Sequence, residues 1–265
     1  MLGLWYLLVF WVGASVGSFL NVLIMRTIQG RDWVRGRSVC DHCGKELHWY
    51  EMVPLLSYAC YRGRSRCCGR PLSIQHPVVE TLVGLLFVWW LTIGSLFFRL
   101  VAEPLSTLQP LFWLLLGLIL ISILVSDLFY GLIPSPFVGA GVVLVLLYRL
   151  ILAFSGVYQW SDYLFSLGAA AGAWAFFWFL RYVTKEKGMG DGDVILAFLM
   201  GLVLGWPKIM IGVLASFVTG SIISLGLVLS GSRKLRSTVP FGPFMIIGIA
   251  VALLWGKQLL TLITG

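Results

Sequence analysis

The sequence predicts an all-α, polytopic integral membrane protein with about eight transmembrane helices and a small cysteine-containing cytoplasmic insertion. Three observations predict it. Hydrophobic residues make up 59% of the 265 positions and charged residues only 11%, with a mean hydropathy of +0.95, whereas soluble domains carry about 25% charged residues. Apolar runs of membrane-spanning length recur along the whole chain. The cations are gathered into three connections: residues 26–76 hold nine Lys/Arg, 181–187 three and 233–236 three, of 19 in all.

Taken in order, the apolar runs are 3–25, 77–98, 110–127, 134–154, 163–183, 193–206, 208–230 and 242–262. The first is expected to stay in the membrane rather than act as a cleaved signal, because Arg26 follows its apolar stretch instead of preceding it. An even number of crossings puts the three basic connections on one side, with Arg99, Arg149, Lys208 and Lys257 at or near the other. The positive-inside rule makes the basic side cytoplasmic and turns both termini outward. Topology and anionic lipid account for the net charge of +8, and no nucleic-acid partner is read into it. The chain divides into a first transmembrane helix (1–25), a cysteine-rich cytoplasmic loop domain (26–76) and a membrane-embedded core (77–265).

Two runs carry an acid at the cytoplasmic end. Asp193 opens "DVILAFLMGLVLGW" (193–206), a helix of about 21 Å against a hydrocarbon core of roughly 30 Å, too short to cross alone. Asp127 comes after about 24 Å of helix begun at Leu111, and Gly131 and Pro134 then break that helix. Two acids far apart in sequence, on one membrane face and each ending a shortened helix, are the parts of a carboxylate dyad. In a low dielectric such a pair shares one proton and serves as base and acid toward a water attacking a peptide carbonyl. The chemistry this suggests is aspartyl proteolysis. Spacing alone leaves alternatives open: Asp193 as a helix N-cap, Asp127 as the partner of an interfacial cation, and Asp191 as a solvated or capping loop residue.

Six stretches in chain order carry a family resemblance: "GASVGSFLNVLIMR" (13–26), "CDHCGKELHWYEMVPLLSY" (40–58), "RGRSRCCGRPLSIQHPVVE" (62–80), "SDLFYGLIP" (126–134), "GMGDGDVIL" (188–196) and "VPFGPF" (239–244). Together they resemble a bacterial type IV prepilin peptidase, an intramembrane aspartyl protease of the glycine-x-glycine-aspartate type. On the family's longer form, glycine-methionine-glycine-x-glycine-aspartate-x-lysine, Asp193 takes the catalytic place and Asp191 the variable position. Gly188-Met189-Gly190-Asp191 fits the four-residue element as a rival register, and the longer pattern selects Asp193. Asp127 matches the other family aspartate. Two departures are present: Ile195 stands where a lysine is expected, and Phe129 where a second acid often follows the first aspartate. The missing lysine removes one argument for a cation that steadies the ionised pair. Gly190, Gly192, Pro240, Gly242 and Pro243 are expected to hold the substrate strand, the last three in a rigid Pro/Gly loop.

The resemblance implies a two-step enzyme at the cytoplasmic face of the bacterial inner membrane. Members cleave the short basic leader of type IV prepilins and of the pseudopilins of type II secretion, and many then methylate the new N-terminus with S-adenosylmethionine. Such a peptidase without the methyltransferase activity is an alternative. A non-enzymatic proton- or cation-translocating membrane protein using Asp127 and Asp193 is another, of a different class.

All five cysteines lie in the long cytoplasmic loop, and a reducing compartment argues against disulfides. Cys40-x-x-Cys43, with a second cluster about 24 residues on and Gly44 and Gly69 after each, reads as a structural thiolate zinc site. The family often has two cysteine pairs; here Ser65 stands at the third position. Cys40, Cys43, Cys67 and Cys68 are the expected ligands, with Cys60 or His42 as rivals to Cys67. No HExxH is present, so a metalloprotease lacks its ligands. Gly13-x-x-x-Gly17 reads as helix packing, with Asn21 as a minor candidate near the active face. Glu80 is an intramembrane acid; the resemblance implies a role in the methylation chemistry, and an interfacial ion pair with Arg70 is the alternative.

Overall fold

A computed structural model of the chain describes residues 2–32, 36–40, 42–94, 105–185, 189–231 and 239–264. Arg99, Lys187, Gly188 and the basic run 233–236, which entered the topology and register readings, lie outside the described residues. The long helices are α1 (Leu2–Ile28), α2 (Gln75–Trp89, continued by a π-helical turn over Trp90–Gly94), α3 (Leu105–Tyr130), α4 (Ser135–Phe154), α5 (Trp160–Val183), α6 (Asp191–Leu204), α7 (Lys208–Leu229) and α8 (Gly242–Thr264). All except α6 are long and apolar enough to cross a membrane. The chain is therefore an all-α, multi-pass membrane protein. The 14 residues of α6 fall short of the span for the reason its sequence gave, about 1.5 Å of rise per residue.

The helices form two compact units, Met1–Val125 and Ser126–Gly265. In the first, α1 and α2 approach closely because both offer glycine at the crossing. A side chain at Gly13 would meet the Val83 carbonyl at 2.8 Å, and one at Gly17 the Glu80 Cα at 2.9 Å. This is the small-residue packing that lipid-exposed helices need in place of a hydrophobic driving force. Asn21 belongs to the same seam. Its side-chain amide donates to the His76 carbonyl at 3.3 Å, and its oxygen accepts from Gln75 Nε2 at 3.2 Å. Both Asn21 and Gln75 are buried, so this pair clamps α1 to the start of α2.

In the second unit the short α6 is the centre, packed by α4, α5, α7 and α8. Leu196, Ala197, Leu199, Met200 and Leu202 are fully buried, the pattern of a helix that is apolar all round because other helices replace lipid around it. Gly201 lets α6 press against the backbone of Ala169 and Ala170 in α5. A rosette of Phe177, Phe217, Phe241 and Phe244, with ring centroids 5.1–6.1 Å apart, seats the chain entering α8.

Candidate active site and metal centre

The N-terminus of α6 is built by a local reciprocity. Gly190 is the extended N-cap (φ −84°, ψ 166°) and Asp193 is the third helical residue; Asp193 Oδ2 accepts the Gly190 N–H at 3.0 Å. A carboxylate in this position satisfies one of the orphan donors of the first turn and faces the positive end of the helix. The helix starts at Asp191 rather than at Asp193, so Asp191 is not the loop residue the sequence suggested. Residues two apart on a helix point to opposite sides at about 100° per residue. Accordingly Asp193 is buried, while Asp191 is 74% exposed and makes a bidentate ion pair with Arg181 at the end of α5, Nη1–Oδ1 2.6 Å and Nη2–Oδ2 3.1 Å.

Asp127 lies in the last turn of α3 and is also buried. Its Oδ2 accepts the N–H of Gly242, the first residue of α8, at 2.9 Å. Each acid thus satisfies a helix-start amide, one from its own helix and one from a helix 115 residues away. The chain between α3 and α4 folds back tightly: Gly131 N–H donates to the Asp127 carbonyl at 2.9 Å, and Ser126 Oγ donates to the Leu132 carbonyl at 2.7 Å. That fold places Ile133 against two glycines. A side chain at Gly192 would meet Ile133 Cβ at 2.7 Å, and one at Gly242 would meet Asp127 Oδ2 at 2.6 Å and Ile133 Cδ1 at 3.2 Å. Asp193 lies within electrostatic reach of Asp127, so the structure brings together Asp127, Ile133, Gly192, Asp193 and Gly242. Gly190 caps the same helix end; Pro243 is buried beside Gly242, and Pro240 is half-buried in the lead-in.

The cysteines sit on two turns with the same hydrogen bonds. Cys40 N–H donates to the Lys45 carbonyl (2.8 Å) and Gly44 N–H to the Cys40 carbonyl (2.9 Å); Ser65 N–H donates to the Arg70 carbonyl (2.8 Å) and Gly69 N–H to the Ser65 carbonyl (2.8 Å). Matching bridges, Val39 with Glu46 and Arg64 with Pro71, close both turns. Ser65 is therefore the geometric counterpart of Cys40. Cys67, two residues on, supplies the sulfur that Ser65 lacks: the Sγ atoms of Cys40, Cys43, Cys67 and Cys68 all lie within 4.8 Å of one another. Cys40 and Cys68 are 3.8 Å apart and Cys43 and Cys67 3.1 Å, where a tetrahedral Zn–S shell needs about 3.8 Å between sulfurs. Cys60 is outside the group, and His42 Nε2 contacts the Pro71 carbonyl at 2.9 Å instead. Burial alone would raise the Cys40 thiol, but hydrogen bonds from Ser65, from the backbone at His42 and Cys43, and from Cys67 bring it down to about 6. The hydrogen bond with Cys67 pushes Cys43 up to about 11. Four sulfurs gathered at this spacing are the donor set that a divalent metal binds as thiolates.

A cavity of about 680 Å³ opens between α1, these turns and the start of α2. Its walls include Arg26, Arg64, Arg66, Tyr58, His76 and Glu80. Glu80 is buried and pairs with backbone rather than with Arg70: its Oε2 accepts the Leu55 N–H at 2.7 Å, and the Ser18 side chain is a second hydrogen-bond partner. Leu55 has φ +58°, a left-handed conformation unfavourable for a side chain of its size, and the Glu80 bond holds it there.

Comparison with known proteins adds sequence relatives to this geometry. Residues 11–93 match the Bacterial Peptidase A24 N-terminal domain, and residues 114–225 match the Type IV leader peptidase family. A protein of Aeromonas hydrophila is 31% identical over 97% of this chain and 92% of its own length. The chain belongs to the type IV leader peptidase family. A Legionella pneumophila member is 32% identical over 96% of this chain and 93% of its own, and a Pseudomonas aeruginosa member 30% identical over 94% and 89%. All three carry the name Prepilin leader peptidase/N-methyltransferase. No solved structure matches the chain. Against this family background, the sequence reading overlooked one residue. Arg149, which the charge pattern places at or near the far membrane face, is a half-buried cation on α4 bonded to the end of α6. The signal was present, an arginine inside "LVLLYRLILAF", since intramembrane charges are functional by default.

Proposed function

We propose that the chain is an intramembrane aspartyl endopeptidase of the bacterial cytoplasmic membrane. It removes the basic leader of type IV prepilins or pseudopilins on the cytoplasmic side and then methylates the new N-terminus. The observation that carries this reading is the pair Asp127 and Asp193, both buried, within electrostatic reach and each bonded to a helix-start amide. One carboxylate takes a proton from water as that water attacks the scissile carbonyl. The other, protonated, donates to the carbonyl oxygen and then, as the C–N bond breaks, a proton passes to the leaving amine. Glycine at 190 and 242 keeps side chains off the acids and glycine at 192 admits Ile133, leaving backbone to line the substrate strand together with Pro240 and Pro243.

S-adenosylmethionine supplies a methyl group when bound. The cavity of about 680 Å³ is within the range of small-molecule sites, roughly 300–1,000 Å³. Buried Glu80 on its wall suits a cationic ligand or the substrate amine. Cys40, Cys43, Cys67 and Cys68 hold zinc in a structural role.

The experiment is cleavage of a prepilin by membranes containing the wild type and Asp127→Asn, Asp193→Asn and Asp191→Asn variants. Cleavage is expected to be lost in the first two and only slowed in the third. Full activity in Asp193→Asn with none in Asp191→Asn would overturn the register.

A further inference from the structure

We propose that Arg149 is a positioning residue that sets the depth of α6 and so of Asp193 at its other end; the inference rests on the catalytic reading of Asp193 above. A helix leaves its last four carbonyls without partners, and in a membrane there is no water to take them. Helix α6 ends among buried residues: Leu202, Val203, Leu204 and Gly205 are all buried. Gly205 N–H answers the Gly201 carbonyl at 2.8 Å. The next two carbonyls are taken by one guanidinium from α4: Arg149 Nε donates to Leu202 at 2.6 Å and Nη2 to Val203 at 3.0 Å.

The surroundings are built for that cation. Gly205 has φ +66°, and a side chain there would come within 3.3 Å of Arg149 Nη2, so glycine serves both the turn and the approach. Asp162, the acid whose charge reaches Arg149, has its Oδ2 bonded to the Gln159 N–H at 3.1 Å; the carbonyls are therefore the direct partners of the guanidinium. A positive charge also suits the negative end of the helix dipole, while Asp193 sits at the positive end. In a helix too short to reach both interfaces the axial position is set by neighbouring helices: the Asp191–Arg181 pair holds its start, and its end needs a stop of its own. The bidentate bond from a full-length helix provides that stop.

The test compares Arg149→Gln and Arg149→Lys with wild type, normalised to membrane-inserted protein, for prepilin cleavage and for methylation of an already cleaved pilin. Arg149→Gln is expected to lower kcat about 10²-fold, the scale of a misplaced catalytic group, with KM nearly unchanged and methylation intact. Arg149→Lys, which keeps the charge but not the fork, should fall between Gln and wild type. Wild-type kcat in both variants, equal loss in Lys and Gln, or parallel loss of cleavage and methylation would overturn the positioning role. Asp193→Asn is measured alongside: if it cleaves normally, the catalytic reading fails and the inference with it, whereas an inert Asp193→Asn beside a normal Arg149→Gln sinks the inference alone.

Discussion

The cysteine turns and the aspartate pair both gather groups that prefer to lie apart, and they do so by opposite means. Cys40 and Cys43 belong to one tight turn, Cys67 and Cys68 to another, and each turn is closed by its own short-range hydrogen bonds. The acids sit on α3 and α6, and the amide that holds Asp127 comes from Gly242, 115 residues further on. The sulfur site is therefore an assembly of two self-contained loops whose four sulfurs lie within 4.8 Å of one another. The carboxylate site exists only when the helices of the second unit are packed. Perturbing the metal should loosen a loop, whereas perturbing a helix contact should remove chemistry.

The largest effect expected from this contrast is at the acids. Asp127→Asn or Asp193→Asn should lower cleavage by on the order of 10³-fold, as for loss of an acid–base group, while a pre-cleaved pilin is still methylated. Mass spectrometry of the N-terminus reads both, and joint loss would break the division of labour. Next comes Gly242→Ala, whose added carbon would stand 2.6 Å from Asp127 Oδ2. A drop in kcat of about 10²-fold is expected, against little change in bound zinc by elemental analysis.

Metal removal should act in the opposite sense. The purified protein is expected to carry about one zinc per chain, retained in Cys60→Ser and lost in Cys40→Ser, with methylation and thermal stability falling more than cleavage. The smallest effect is at the rim, where Arg181→Gln breaks the exposed pair with Asp191. Exposed ion pairs contribute about 0–1 kcal/mol, so a change in cleavage rate of less than about fivefold is expected. A larger loss would make α5 part of the catalytic support.

The local parts of both sites could be read in advance. Cys40-x-x-Cys43 and the Cys67-Cys68 pair announce their turns through the glycine that follows each. The bond from Gly190 to Asp193 spans three residues, a capping pattern visible in "GDGD". The helix start lies two residues earlier than the apolar run, so Asp191 falls in the first turn rather than the loop, still exposed and paired with Arg181. Nothing in "VPFGPF" names Asp127 as the acceptor of its glycine amide, and nothing around "YRL" says that Arg149 caps a helix more than 50 residues away.

Composition, apolar run length and short motifs by themselves determined that this chain lives in a membrane as a bundle of helices, that its cysteines fall in one loop, and that two acids sit at helix ends. These are consequences of hydrophobicity and of hydrogen bonds closed within a few residues. Which amide meets Asp127, which side of α6 faces inward and where that short helix stops along its axis were decided only by the tertiary structure. Those outcomes depend on long-range packing in which unsatisfied helix ends, unable to find water, must find each other or a half-buried arginine.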